Sequence, residues 1–335
     1  MKPPQFALTV PDLAETIDFF TRRLGFRIDM IVPADAPETA VISGQGVTLR
    51  LETCGMQAAL ADSPIDLQEG AREFVISRQN TMDTNDEWHV GRAGMQYRDL
   101  IPGRLGGRFI ASHIRIPGGG ETPDYVHYHK ALFQMIYCKA GWARVVYEDQ
   151  GPPFALEAGD CVLQPPEIRH RVLESSPGLE VIEVGCPAAH ETWTDHELQL
   201  PTREVAPERL FGGQRFARHR AREASWTPWR LDGFEARDTG IAAATNGLAA
   251  ARVVKSKVVG SEITVMAKGH AGALLFLFIL QGELRINSRA QGNHQLQAGD
   301  SCVIPAGVDY TLRAEAGLEM LEVNLPAQLS LSSIL

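Results

Sequence analysis

The stretch Tyr125–Gln134 reads Y-V-H-Y-H-K-A-L-F-Q, and a second stretch, Gly159–His170, reads G-D-C-V-L-Q-P-P-E-I-R-H. His127 and His129 lie two residues apart, so on an extended strand both imidazoles point to the same face of a sheet. Imidazole nitrogens are common metal ligands, and two that share a face can bind one ion. The first stretch therefore predicts a β-strand that carries part of a metal site.

The two stretches resemble the paired signature motifs of the cupin superfamily, G-x5-H-x-H-x3,4-E-x6-G and G-x5-P-x-G-x2-H-x3-N. In that family two histidines, an acidic residue and a final histidine bind a metal ion inside a small jelly-roll barrel. The resemblance implies that His127, His129, Gln134 and His170 are the metal ligands here. The chain departs from the motifs at four positions: Gly120 lies one residue early, and Gln134, Glu167 and Glu174 replace the glutamate, the second-motif glycine and the asparagine.

The replacement of the family glutamate by Gln134 changes the expected chemistry. A glutamate would cancel one charge of a divalent ion, whereas three neutral imidazoles leave its full double charge. Such a site favours anionic ligands such as carboxylates, enolates or catecholates, and it keeps the open coordination positions that a catalytic metal needs. We expect Fe(II), with Mn(II), Ni(II) or Zn(II) as alternatives. Whether Gln134 itself ligates stays open.

Tyr125 is a second candidate catalytic residue beside Gln134. Strand alternation places it on the side of His127 and His129, where a phenol could donate a proton or anchor a substrate. Tyrosine is also common in barrel cores, so a packing role is the alternative.

The composition describes a soluble globular protein of two or three domains. The chain has 335 residues, 44% of them hydrophobic, a formal net charge of −9 and a pI near 5.6. An acidic chain of this kind is not expected to coat nucleic acid or an anionic membrane. Five widely spaced cysteines without a C-x-x-C pair predict a reducing cytoplasm, and no apolar run is long enough to span a bilayer.

Residues 5 to 53 predict a βαβββ unit with a helix from about Asp12 to Leu24. The words L-T-V-P-D-L-A-E-T-I-D-F-F-T-R-R-L-G-F resemble one module of the glyoxalase/bleomycin-resistance superfamily, also called vicinal oxygen chelate proteins. That family takes metal ligands from the start of the first strand and the end of the fourth, near which Gln5 and Glu52 fall. The chain shows one such module, so we favour a metal-free docking or dimerisation role for it.

The C-terminal part repeats the barrel pattern at an offset near 140 residues. Gly282 echoes Gly141, and Q-A-G-D-S-C-V-I-P-A-G echoes E-A-G-D-C-V-L-Q-P-P-E. Aligned on the glycines, Lys268, His270, Leu275 and Tyr310 stand at the positions of His127, His129, Gln134 and His170, so this second barrel is expected to hold no catalytic metal.

The predicted fold class is mainly β: one small βαβββ module followed by two tandem cupin jelly-roll barrels. The predicted parts are the module at 1–53, a connector with little chemistry at 54–92, the metal-binding barrel at 93–190, a linker at 191–225 and the degenerate barrel at 226–335. His190, His196 and His219 are interpreted as belonging to the linker region, without a motif partner.

The leading hypothesis is a metal-dependent cupin enzyme that acts on a small anionic or hydroxylated organic substrate, with an oxygen-dependent dioxygenase favoured. The alternatives are a metal-dependent isomerase or lyase, and a non-catalytic sensor or binding protein. We expect a cytoplasmic homo-oligomer, a dimer, with no nucleic-acid or membrane partner.

Overall fold

The computed structural model describes residues 5–53, 70–79, 88–91, 94–257 and 262–330. Residues 5–53 form the predicted βαβββ unit. The helix has the predicted bounds: Asp12 caps it through Oδ1, which accepts a hydrogen bond from the Glu15 amide at 2.8 Å, and Gly25 follows it in the left-handed conformation. The elements are β1 (Gln5–Val10), α1 (Leu13–Leu24), β2 (Arg27–Val32), β3 (Thr39–Gly44) and β4 (Val47–Thr53).

The first barrel follows three short strands and contains a long hairpin that begins at Phe133. Gly141 makes the tight turn of this hairpin at φ 72°, and a side chain there would collide with Ser176. The elements are β5 (Val75–Ser77), β6 (His89–Val90), β7 (Gln96–Asp99), α2 (Arg104–Gly107), β8 (Ile110–Ile116), β9 (Gly120–Glu121), β10 (His127–His129), β11 (Phe133–Ala140), β12 (Trp142–Tyr147), β13 (Phe154–Glu157), β14 (Cys161–Leu163), β15 (His170–Ser175) and β16 (Leu179–Cys186).

A second barrel of the same design follows, so the mainly β fold with two tandem jelly rolls is confirmed. The connecting elements are β17 (Thr192–Thr194), β18 (Leu210–Phe211), β19 (Gln214–Arg215), β20 (Ala217–His219) and a 3-10 turn (Ala221–Glu223). The second barrel contains β21 (Thr227–Pro228), β22 (Phe234–Asp238), α3 (Ile241–Ala244), β23 (Ala250–Ser256), β24 (Ile263–Ala267), β25 (Leu274–Gln281), β26 (Glu283–Ser288), β27 (Gly292–Gln297), β28 (Ser301–Val303), β29 (Tyr310–Ala314) and β30 (Glu319–Leu325).

The two barrels exchange strands. β5, which precedes the first barrel, pairs with β28 of the second, and β20, which precedes the second barrel, pairs with β14 of the first. Between the barrels lies a continuous apolar core that includes Phe133, Phe276 and Phe278, all fully buried. Short segments of the predicted connector and linker thus form strands that the sequence analysis did not predict. Of that connector, residues 54–69, 80–87 and 92, which include Cys54, lie outside the described residues, as does residue 93 of the predicted barrel.

The N-terminal unit joins the first barrel through one continuous sheet. Its strands follow the order β1-β4-β3-β2, and β2 then pairs with β17, which pairs with β10 of the barrel. β17 therefore lies between the N-terminal unit and the strand that carries His127 and His129. Within the unit, Gln5 pairs with Thr48 and Glu52 with Thr9, so Gln5 and Glu52 are four register positions, about 13 Å, apart.

Glu180 on β16 makes the fold sensitive to acid. The hydrogen bond from His113 Nε2, at 2.8 Å, is the main cause that lowers the pKa of Glu180 to about 2 from an ordinary 4.5, and Lys139 adds to it. Because this pKa is lower in the folded state, the ionised Glu180 contributes its whole stabilisation above pH 4.5, and this contribution is lost as the pH falls toward 2. Glu180→Gln should remove this part of the pH dependence in urea unfolding measured between pH 2 and 6. Glu174→Gln, whose side chain is more exposed, should leave it unchanged.

The described residues contain no helix that is both long and apolar enough to cross a membrane.

Candidate metal centre

The three predicted histidine ligands converge at one point in the first barrel. His127 and His129 lie on β10, His170 begins β15, and the cross-strand register places His127 directly opposite His170. All three are buried, and their candidate ligand nitrogens lie within 4.8 Å of one another. The ring centroids of His127 and His170 are 4.2 Å apart, and that of His129 is just over 5 Å from each. This spacing suits three ligands of one ion.

Each histidine has its Nδ1 atom engaged by an oxygen, which leaves Nε2 as the ligand atom. The Nδ1 of His127 lies 2.8 Å from the Tyr125 carbonyl, and that of His170 lies 3.0 Å from the Ile168 carbonyl. The Nδ1 of His129 lies 2.9 Å from the Thr192 hydroxyl. Oxygen acceptors at Nδ1 fix the tautomer and the ring orientation in metal sites. The donor set therefore fits a divalent metal bound by three neutral imidazoles.

A buried carboxylate supports His127 as well. Oδ1 of Asp124 lies 3.5 Å from the His127 Nδ1, and Oδ2 accepts a hydrogen bond from the Val172 amide at 2.9 Å. Asp124 is 5% exposed. Sequence reasoning missed it, although a carboxylate three residues before His127 in an extended segment was the available signal.

Thr192 supports the metal centre from the strand that joins the N-terminal unit to the barrel. It lies on β17, is 2% exposed, and its hydroxyl is the partner of His129. Replacing Thr192 with valine keeps its shape and removes this oxygen, so metal affinity should fall by about 10-fold to 100-fold. Isothermal titration with Mn²⁺ would measure the change, with Thr264→Val on an exposed face of β24 as the control. Equal affinity in both variants would contradict a role for Thr192.

Gln134 lines the cavity beside the histidines but is held by a carboxylate. Its Nε2 donates a hydrogen bond of 2.6 Å to Oε1 of Glu183, and the glutamine is 2% exposed. Because the amide nitrogen must face the carboxylate, the amide oxygen is the atom left for a metal or a ligand. Sequence reasoning missed Glu183, yet a charged residue at an inward position of the strand L-E-V-I-E-V-G-C was a usable signal.

Tyr125 is not among the residues that line the cavity. β10 begins at His127, so strand alternation does not extend back to Tyr125. Its ring lies edge-on to His127 with centroids 6.1 Å apart, and its carbonyl oxygen orients that histidine. The structure thus places the backbone of Tyr125 at the site, and a catalytic role of its phenol stays a prediction.

His190 belongs to the site rather than to a solvated linker, which corrects the sequence interpretation. It is 6% exposed, lines the cavity, and its ring centroid lies 5.4 Å from that of His129. Its Nδ1 lies 2.9 Å from the Pro187 carbonyl. The chain after β16 folds back over the barrel opening, and spacing alone gave no indication of this.

The cavity at the centre has a volume of about 110 Å³. On one side Tyr147 stacks on His170 with centroids 5.4 Å apart, and burial raises the pKa of the Tyr147 phenol, which therefore stays protonated. The N-terminal unit contributes Ala34 and Asp35 to the lining, and Asp35 accepts a hydrogen bond from Arg104.

Among the described residues of the second barrel, no cluster corresponds to the three histidines, and the strand register corrects one assignment made from the sequence. Ala267 pairs with Tyr310 as His127 pairs with His170, so Ala267, and not the exposed Lys268, is the counterpart of His127. His270 then falls one position beyond the counterpart of His129. The glycine alignment missed this because the loop between the paired strands differs by one residue.

At the corresponding place in the second barrel, a one-third exposed arginine binds the buried carboxylate of Glu322. Nη2 of Arg230 donates to Oε2 of Glu322 at 2.8 Å and to the Tyr310 hydroxyl at 3.4 Å. Glu322 pairs across the sheet with Leu277 as Glu183 pairs with Ile136. Both barrels therefore keep an inward carboxylate at this position, and in the second barrel an arginine binds it.

This fold and site define a bicupin arrangement with one candidate three-histidine metal centre. Residues 112–184 match the family model of the cupin domain, and they contain all three histidines. Together with the fold, this match supports the cupin superfamily. A search among curated protein sequences finds no match for this chain.

Solved structures with the same fold include oxalate decarboxylases. The formate complex of the Lactobacillus farciminis oxalate decarboxylase is 14% identical, with a TM-score of 0.57, covering 80% of this chain and 90% of that one. A single-residue variant of the Bacillus subtilis oxalate decarboxylase is 13% identical, with a TM-score of 0.56, covering 80% and 81%. At these identities the likeness shows the fold alone.

Proposed function

We propose that this protein is a metal-dependent enzyme, an oxygen-dependent dioxygenase with Fe(II) held by His127, His129 and His170. Its substrate is a small anionic or hydroxylated organic molecule. The observation that carries the proposal is the cluster of three buried imidazoles, each oriented through Nδ1, at the wall of a cavity. Three neutral protein ligands leave coordination positions open, which is typical of catalytic rather than structural metals.

The bound ion would supply Lewis acidity and, as iron, the capacity to activate dioxygen. The protein's own residues orient and shield the reacting groups. Glu183 fixes the amide of Gln134, Tyr147 packs on His170, and the apolar cavity wall excludes water, which strengthens electrostatic interactions with a bound anion.

A metal-dependent lyase is the second candidate. The similar solved structures are oxalate decarboxylases, which are lyases, and this favours the second candidate. A lyase of this kind would use the same three histidines and the same open coordination positions, but its turnover would not depend on a stoichiometric supply of dioxygen.

Metal content and oxygen uptake test the proposal together. Protein purified without added metal should contain near-stoichiometric iron, and it should consume dioxygen with a member of a panel of catechols, hydroxybenzoates and 2-oxo acids. Turnover of a panel member without oxygen uptake would replace the dioxygenase by the lyase. Absence of bound metal after anaerobic reconstitution with Fe(II), Mn(II) or Ni(II) would overturn both.

The Gln134→Glu variant tests whether position 134 is a metal ligand. A carboxylate there would lie against Glu183, and two adjacent carboxylates attract a divalent ion, so metal affinity should rise and the preferred metal should change. The variant Gln134→Glu/Glu183→Gln keeps the net charge and moves the carboxylate to position 134. It should also bind metal more tightly than the native protein in a competition titration. Unchanged affinity in both variants would place Gln134 outside the ligand set.

A further inference from the structure

The cavity beside the histidines has a polar end and an apolar end. On the sheet formed by β8, β11 and β16, the polar side chains that line the cavity near the histidines are those of Gln134, Glu183 and Ser112, with Ile110 and Ile136 in the same two rows. One register step further from that end, Cys138 faces Val181, and Val181 faces Ile114. The polarity of the wall therefore changes within about two residues along each strand, roughly 7 Å.

The opposite sheet shows the same division. Its polar end carries His127, His170 and Tyr147 in one cross-strand row, and the next inward row pairs Val145 with Val172. The residues that line the apolar end share aliphatic side chains: Ile114, Ile116, Ala143, Val145, Leu156, Val172, Leu179 and Val181. None of them offers a hydrogen bond or a charge to a ligand.

We propose that this apolar chamber, defined by those eight residues, binds an alkyl or aryl group of the substrate while an oxygen-bearing head is held at the histidines. The head-group part rests on the proposed function, and the chamber itself does not. The substrate class is thus a small carboxylate or hydroxylated compound with an apolar side chain. A compact dianion such as oxalate has no group to place in the chamber.

Size and solvation favour this assignment. An engineered apolar cavity of about 150 Å³ in another protein stays dry and binds benzene, and the cavity here, about 110 Å³ with its polar end included, suits a short alkyl chain. Burying each additional methylene in such a space should strengthen binding about fourfold until the chamber is full. Apolar contacts supply affinity and the polar end fixes orientation, which is the usual division of roles in small-molecule sites.

The test is a homologous series of monocarboxylates, from acetate to hexanoate, with benzoate and oxalate, titrated calorimetrically into the metal-loaded full-length protein. Affinity should rise about fourfold per methylene and then level off, whereas oxalate, which can chelate the metal, should bind without using the chamber. Toluene is a probe that needs no metal, and ligand-detected NMR should show that it binds. Affinity independent of chain length, together with no toluene binding, would overturn the chamber.

Two substitutions of Val181 test whether the probes bind in the chamber. Val181→Phe should fill the chamber, abolish toluene binding and shorten the series at its long end, whereas Val181→Ala should extend the series. Val205→Phe, at a valine 60% exposed, is the matched control and should change neither. Toluene binding in a protein that takes up no metal would support the chamber while overturning the proposed enzyme. If the protein binds metal but both Val181 variants bind toluene and the carboxylates as the native protein does, the chamber would be overturned while the proposed metal centre would stand.

Discussion

Replacing His170 with alanine should reduce bound metal from about one ion per chain to near zero, with a loss of affinity on the order of 100-fold or more. His170 supplies one of only three imidazoles in the cluster, and its ring is fixed by the Ile168 carbonyl and by Tyr147. Two remaining histidines on β10 would hold a divalent ion only weakly. Elemental analysis of the purified variant, with Mn²⁺ titration of the apoprotein, measures the effect.

His294→Ala is the matched control, because His294 lies in the second barrel and outside the cluster. It should retain the metal content of the native protein. Circular dichroism of both variants separates loss of the site from loss of the fold. If His170→Ala keeps the native metal content, the metal is not bound at these histidines, and the dioxygenase and lyase proposals would both be wrong.

The three histidines could be placed from sequence because their constraint is local. His127 and His129 share a strand, so a two-residue period fixes their common face, and the cupin resemblance supplied His170. Glu183, Asp124 and Thr192 were not found, because their roles depend on which strands become neighbours. Thr192 reaches His129 only because β17 inserts between β10 and the N-terminal unit. Pairing of this kind is set by tertiary contacts that no spacing within one segment encodes.

The same distinction applies to the fold. The bounds of α1 could be predicted because the signals that set them, such as the Asp12 cap and Gly25, lie within a single segment. The strand β5 did not, because Val75–Ser77 is too short to be stable alone and pairs with Ser301–Val303 more than 200 residues away. Likewise, the carbonyl of Gly299 accepts a hydrogen bond of 2.7 Å from the fully buried Arg98, which fixes the barrels against each other through side chains.

Arg230→Ala should destabilise the protein by about 3 to 5 kcal/mol, because it leaves Glu322 as a buried charge without its main partner. The Glu322 side chain is 1% exposed. Burial by itself would lower the pKa of Arg230, but the attraction to the Glu322 carboxylate is stronger and raises that pKa. Arg252 lies 3.7 Å from the same carboxylate and compensates part of its charge, so the loss of stability should be near the lower end of this range. Urea unfolding at neutral pH, with the midpoint and slope compared, measures the change.

Removing the charge from both partners should recover most of this stability. Arg230→Met/Glu322→Gln keeps an acceptor for the Trp229 indole, 3.3 Å from Glu322, and leaves no buried charge uncompensated. Arg285→Ala, 44% exposed with long ion pairs, should cost less than about 0.5 kcal/mol. A double variant no more stable than Arg230→Ala would contradict the ion-pair account. Recovery would mean that Arg230 stabilises the second barrel by compensating the inward carboxylate of Glu322.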